Sequence, residues 1–137
     1  MKENAYTMRA LATVTAVLEL GAGLGILVIP SLAGMILLGS SLSTPVELTI
    51  ARVAGVALLA LGVAFWFARH DEQSYAARAL VGAMLLYNAG VVAVLLYAGI
   101  GLGLSGVGLW PAALLHVVMT VWCGIYLRQQ IWRVSGT

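Results

Sequence analysis

Charge is what this sequence has least of: 9% of its 137 residues are Asp, Glu, Lys or Arg, where a soluble domain carries about a quarter. So few charges, with 62% apolar residues, exclude water as the solvent of most of the chain. Cysteine is nearly missing too. With Cys123 alone an intrachain disulfide, a CxxC redox centre and a thiolate zinc site are excluded by arithmetic. Seven Lys and Arg against five Asp and Glu are scattered at segment ends and form no basic patch, which excludes a nucleic-acid surface.

What is present is long apolar runs. Four of them, about Tyr6 to Ile29, Pro45 to Ala68, Tyr75 to Ala98 and Trp110 to Leu127, each suffice to cross a hydrocarbon core of roughly 30 Å. They consume most of the chain and predict a single all-α domain, an antiparallel four-helix bundle with short connections. The first run is too long for a signal-peptide core and is followed by no small-residue cleavage pattern, so it is expected to be a retained span. Between Pro30 and Ser43 a further apolar stretch is too short to cross, and its proline and serines predict a partial helix on the outer surface. Thr44, Pro45 and Glu47 supply an N-cap, a first-turn proline and a returning carboxylate, the makings of a capping box. After the third span comes GIGLGLSGVG, residues 99–108, a composition that does not hold a helix firmly. It lacks the basic residue and strand context of a phosphate-binding loop.

Orientation follows from the cations. Lys2 and Arg9 lie at the start of span one, Arg69 and Arg78 bracket the second connection, and Arg128 and Arg133 follow span four, whereas the first and third connections have none. The positive-inside rule then puts both termini and the His70-Asp71-Glu72 turn on the cytoplasmic side, with the 30–44 segment and the glycine-rich connection facing outward. Tyr6, Trp66, Tyr75, Tyr126 and Trp132 fall at the inner interface and Tyr97 and Trp110 at the outer, as an aromatic belt requires.

The first helix pair overlays the second, matching Gly21-Ala22-Gly23 with Asn88-Ala89-Gly90, Pro45 with Pro111 and Trp66 with Trp132, a repeat about an axis along the membrane normal. Small residues are expected at the helix contacts: Gly21 with Gly25, Gly55 with Leu59 and Gly62, and Gly82 with Gly90. One such face is a candidate for self-association.

Glu19 stands near the middle of span one, roughly 16 Å from its outer end at the helical rise per residue. An ionisable group at that depth is costly, faces the bundle interior and marks a functional site by default. Arg52, roughly 10 Å inside span two, is the expected ion partner. Asn88 on span three and His116 on span four lie at similar depths, so each helix contributes one strongly polar residue to the outer half. Thr15 and Thr49 stand one turn from Glu19 and Arg52, His116, Thr120 and Cys123 form a stripe on span four, and Tyr87 adjoins Asn88. Two readings of this cluster stand side by side. In one, Glu19 and Arg52 are a buried ion pair completed by Asn88 and His116, fixing helix order without binding anything. In the other, the cluster is the floor of an outward-opening pocket, with Trp110 and the 30–44 segment at its mouth. No second His or Cys falls at metal-ligand spacing from His116. His70 lies at the opposite face, which argues against haem. No nucleophile, general base and orienting group assemble at a defined spacing, so the chain by itself is not expected to be an enzyme.

The run GAGLGILVIP, an outer segment containing LG, and then ARVAGVALLALGVAFWFAR resemble the small bacterial four-helix membrane proteins of the DoxX-like superfamily, over roughly the first half of the chain. The resemblance implies the four-helix architecture and, for some members, a subunit role in membrane oxidoreductases working near quinone. The expected function is therefore a non-catalytic membrane subunit or binding protein for a lipid-soluble molecule such as a quinone or lipid, alone, as a homo-oligomer or in a larger membrane complex. Its candidate ligand-binding residues are Glu19, Arg52, Tyr87, Asn88, Trp110, His116 and Thr120. The contrasting expectation is proton-coupled transport. A lone membrane-embedded glutamate in the first of four helices resembles the small multidrug-resistance transporters, from which this chain departs by placing Arg52 where it would neutralise Glu19 and by lacking their aromatic motif.

Overall fold

A computed structural model describes residues 2–71 and 74–135, with side chains described for 8–71 and 74–130. Expectations for the Tyr6 and Trp132 rings, the Lys2 and Arg133 side chains and Glu72 lie outside the described residues. The described chain is all-helical: α1 (Lys2–Val28), α2 (Pro30–Leu38), α3 (Pro45–Ala68), α4 (Tyr75–Leu96), a π-helical turn (Tyr97–Gly101) and α5 (Leu109–Ser135). Four segments, Met8–Val28, Pro45–Ala68, Tyr75–Gly101 and Leu109–Gln130, are long and apolar enough to cross a membrane. They form a four-helix bundle.

Each boundary has a local cause. Pro30 has no N–H and disfavours helical backbone in the residue before it; Ile29 accordingly leaves the helix at φ −128, ψ 57. Pro30 then serves as the first residue of α2, which stops at Gly39 in the left-handed conformation, φ 75, with Gly39 N–H donating to Met35 O at 3.0 Å. At α3 the capping box is complete. Glu47 N–H donates to Thr44 Oγ1 at 3.2 Å, while Glu47 Oε2 accepts from Thr44 N–H at 2.9 Å and Ser43 N–H at 3.0 Å. Ser74 caps α4 by accepting from Ala77 N–H at 3.0 Å.

The glycine-rich connection departs from expectation at its start, because Gly99 and Gly101 are helical. The last turn widens, with Leu102 N–H reaching Tyr97 O at 3.1 Å and Leu104 N–H reaching Ala98 O at 3.0 Å. A Cβ on Gly101 would lie 2.9 Å from the Tyr97 ring, and one on Gly99 3.1 Å from the side chains of Leu109 and Trp110. These glycines make room for aromatic packing.

The chief interfaces are α1 with α3 and α4 with α5. Between α1 and α3 the backbones almost touch. A Cβ on Gly23 would stand 2.8 Å from Gly55 O and Leu59 N, one on Gly55 2.8 Å from Gly23 O and Leu27 N, and one on Gly62 3.0 Å from Leu20 N. The packing is antiparallel and uses small residues to bring main chains together. Gly55 and Gly62 are thus at a contact, whereas Gly21, Gly25, Gly82 and Gly90 have open space where a Cβ would be. The faces expected from Gly21 with Gly25 and from Gly82 with Gly90 are not helix contacts within the chain.

The buried core occupies one half of the bundle. Met8, Leu11, Ala12 and Ala16 of α1 meet Phe65 of α3, Ala77, Val81 and Met84 of α4, and Met119, Cys123 and Tyr126 of α5. Tyr126 is therefore a core residue and not part of an interfacial belt, unlike the exposed rings of Trp66, Tyr75, Tyr97 and Trp110. The half toward α2 is hollow.

Candidate functional site

The hollow half holds a cavity of about 440 Å³ between the two helix pairs. Its floor is Met84 and Met119, the upper edge of the core. Its walls are residues of α1 between Leu18 and Ile26 with Ile29 at the α1–α2 junction, of α4 between Met84 and Leu95 and of α5 between Ala112 and Met119, with Leu58 from α3. Leu32, Ala33, Ile36 and Leu37 of α2 form the roof.

The glycine-rich connection holds that roof. Gly108 N–H donates to Ile36 O at 2.8 Å, and a Cβ on Gly106 would fall on the Ile36 and Leu37 carbonyls. Ser31 Oγ donates to Leu42 O at 2.7 Å and ties the start of α2 to the strand of chain that returns to α3. What composition reads as a loose linker is a close-packed clasp, open to glycine because nothing larger fits against the α2 backbone.

The polar groups of the lining are Glu19, Tyr87, Asn88 and His116. Asn88 is 1% exposed; its Nδ2 donates to Met84 O at 2.8 Å. That bond fixes the amide, so Oδ1 is the atom that meets His116 Nδ1, 2.6 Å away. An amide oxygen only accepts, hence Nδ1 carries the proton and donates. The Tyr87 ring stands edge-on to the imidazole, centroids 5.8 Å apart at 77°. His116 is thereby held in one orientation and one tautomer, leaving Nε2 with no partner among the described residues.

Glu19 is 5% exposed and has neither a hydrogen bond nor an ion pair among the described residues. One turn below it, Thr15 Oγ1 is buried without a partner. A buried hydroxyl left unsatisfied is rare in proteins, since it costs free energy that a partner would offset, and a carboxyl facing an otherwise apolar cavity without a protein partner is costly for the same reason.

Three expected site residues lie elsewhere. Arg52 is exposed and does not line the cavity; the anticipated ion pair with Glu19 is not formed. The cause is the register of α3 on α1: the contacts of Gly23 with Gly55 and Leu59 and of Leu20 with Gly62 leave residue 52 opposite the end of α1, about 15 Å outward of Glu19 at the helical rise per residue. Trp110 is 51% exposed and packs over Gly99, away from the cavity mouth. Thr120 spends its hydroxyl on His116 O at 2.7 Å, one turn back in its own helix. Conversely, sequence reasoning missed the apolar lining and its open glycine, Gly25. The signal available was the spacing of Ala22, Gly25 and Ile29 on the Glu19 face of α1. Among the described residues no three of His, Cys, Asp and Glu gather as a metal site would need.

No protein-family model, curated protein or solved structure matches the chain.

Proposed function

We propose that this chain is a small multi-pass protein of a bacterial cytoplasmic membrane, with both termini inside, that binds a lipid-soluble small molecule such as a quinone in the cavity between its helix pairs. It acts as a binding protein or as the non-catalytic subunit of a larger membrane complex. One observation carries the reading: a buried, unpartnered Glu19 carboxyl and an oriented His116 share a cavity that is otherwise apolar. A volume of about 440 Å³ falls within the roughly 300–1,000 Å³ of small-molecule sites, which combine apolar walls with a few placed polar groups.

The test uses a decyl-substituted benzoquinone titrated into the detergent-solubilised protein, followed by tryptophan quenching. Gly25 lines the cavity and has open space at its Cβ position, so Gly25→Phe is expected to direct a ring into the site with no clash at its Cβ. Saturable binding that weakens by more than about tenfold in a folded Gly25→Phe variant supports the reading. Unchanged binding in that variant places the probe elsewhere and defeats it.

Proton-coupled transport remains a second reading because Arg52 stands apart from Glu19, and a carboxyl without a cation beside it is free to exchange protons. It requires a flux across vesicles driven by a pH gradient and abolished in Glu19→Gln; a flux indifferent to that change removes it.

A further inference from the structure

Taking the cavity reading as its premise, we infer that the site selects ligands whose head group donates hydrogen bonds, a phenol or hydroquinone class of molecule, over the matching quinone or ether. The argument is a count of donors and acceptors. Asn88 holds the proton on His116 Nδ1, so Nε2 of the neutral ring is a bare acceptor. Glu19 has no partner among the described residues, and a carboxyl keeps at least one accepting oxygen whether ionised or not. Asn88 is sequestered between Met84 and His116. Of the side chains lining the cavity, only the Tyr87 hydroxyl adds a donor beyond a protonated Glu19, and it accepts as well. All remaining lining side chains are apolar.

Acceptors therefore outnumber donors where the head group sits. A hydroxyl satisfies Nε2 or Glu19 by donating. A quinone carbonyl or a methoxy oxygen, each acceptor-only, pairs at best with the Tyr87 hydroxyl or a protonated Glu19 and leaves Nε2 desolvated and unpaired, the costly half of the hydrogen-bond asymmetry. An aromatic head suits the floor, where the thioethers of Met84 and Met119 make favourable contacts with ring edges. The decyl-type tail of such a molecule lies along the apolar walls toward α2.

Three probes of nearly the same shape decide it: a decyl-hydroquinone, its dimethyl ether and the corresponding decyl-benzoquinone, titrated anaerobically into the full chain in detergent. The hydroquinone is expected to bind about tenfold or more tighter than either of the others, the effect of one or two unpaired acceptors. In Glu19→Gln, which puts an N–H donor in place of an acceptor, the ratio is expected to fall several-fold as benzoquinone gains a partner. Equal affinity for the three probes leaves the cavity reading standing and overturns the donor preference. Binding of none of them overturns both, and a hydroquinone preference unchanged in a folded Glu19→Gln protein assigns it to other groups and overturns the role given to Glu19.

Discussion

Asn88 contributes to the site chiefly by orienting His116, since its amide is committed on one side to Met84 O and on the other to Nδ1. Replacing it by leucine, similar in size, leaves Nδ1–H buried without an acceptor, at a cost of about 1–3 kcal/mol, and lets the ring change tautomer. Asn88→Leu is expected to lower the midpoint of thermal unfolding in detergent and to weaken probe binding by about tenfold; unaltered binding would show that orientation of the imidazole is immaterial. Arg52 makes the opposite case. Being exposed and away from the cavity, it is expected to tolerate Arg52→Gln within about 0.5 kcal/mol of stability and with no change in probe affinity, whereas a Glu19 partner would unfold the protein or destroy the site when removed. The residues that were legible from sequence, Glu19, Tyr87, Asn88 and His116, are polar groups in apolar runs, where lipid makes any polar side chain conspicuous. What was not legible is the register of one helix against the next. Counting residues from the span ends puts Arg52 and Glu19 at similar depths, but the glycine contacts that join α1 to α3 offset the two along the axis, and sequence spacing does not rank those contacts.

Helix pairing is decided by those glycines, and the difference between Gly23 and Gly21 makes the point testable. They sit on one helix, two residues apart, so helix propensity favours alanine over glycine equally at both, by about 1 kcal/mol. Only Gly23 meets another backbone, with Gly55 O and Leu59 N at 2.8 Å from its Cβ position. Gly21→Ala is expected to be neutral or stabilising, and Gly23→Ala to cost about 1–3 kcal/mol through overpacking, read as opposite shifts in the same thermal melt. Equal shifts would mean that α1 and α3 do not approach so closely. The repeat between the two halves fails at this level: Gly90, the counterpart of Gly23, faces open space, so the second helix pair packs without the device that joins the first. Elements were legible where a terminus is marked chemically, by Pro30 and by Thr44 with Glu47; the left-handed stop at Gly39 and the Ser74 cap emerge only in the structure. The π-helical turn was not, because nothing in YAGIG distinguishes a widened turn from an unwound one until the Tyr97 ring is seen lying against Gly101.

For the molecule as a whole, packing and hollowness are segregated along the bundle axis. The half containing Met8, Phe65, Val81 and Tyr126 is filled, and the half containing the cavity is closed by α2 and its glycine clasp. A filled half carries the stability, the roofed half is the one that would receive a ligand under the proposed function, and the polar groups stand at the junction between them. Which compartment the roof faces then decides whether the proposed site is served from outside or from the cytoplasm, and the proposed orientation, drawn from the cation distribution, has the roof outside. Ser41 and His70, both exposed, flank α3, whose 24 residues span roughly 36 Å. Cys123 is fully buried and is expected to stay silent toward a membrane-impermeant maleimide. In intact cells that reagent is expected to label Ser41→Cys, and to label His70→Cys only after permeabilisation. The reverse pattern would invert the protein and open the roofed half to the cytoplasm; labelling of both sites from outside would mean that α3 does not cross the bilayer, and the bundle would then have to be a membrane-surface assembly with its cavity reached laterally.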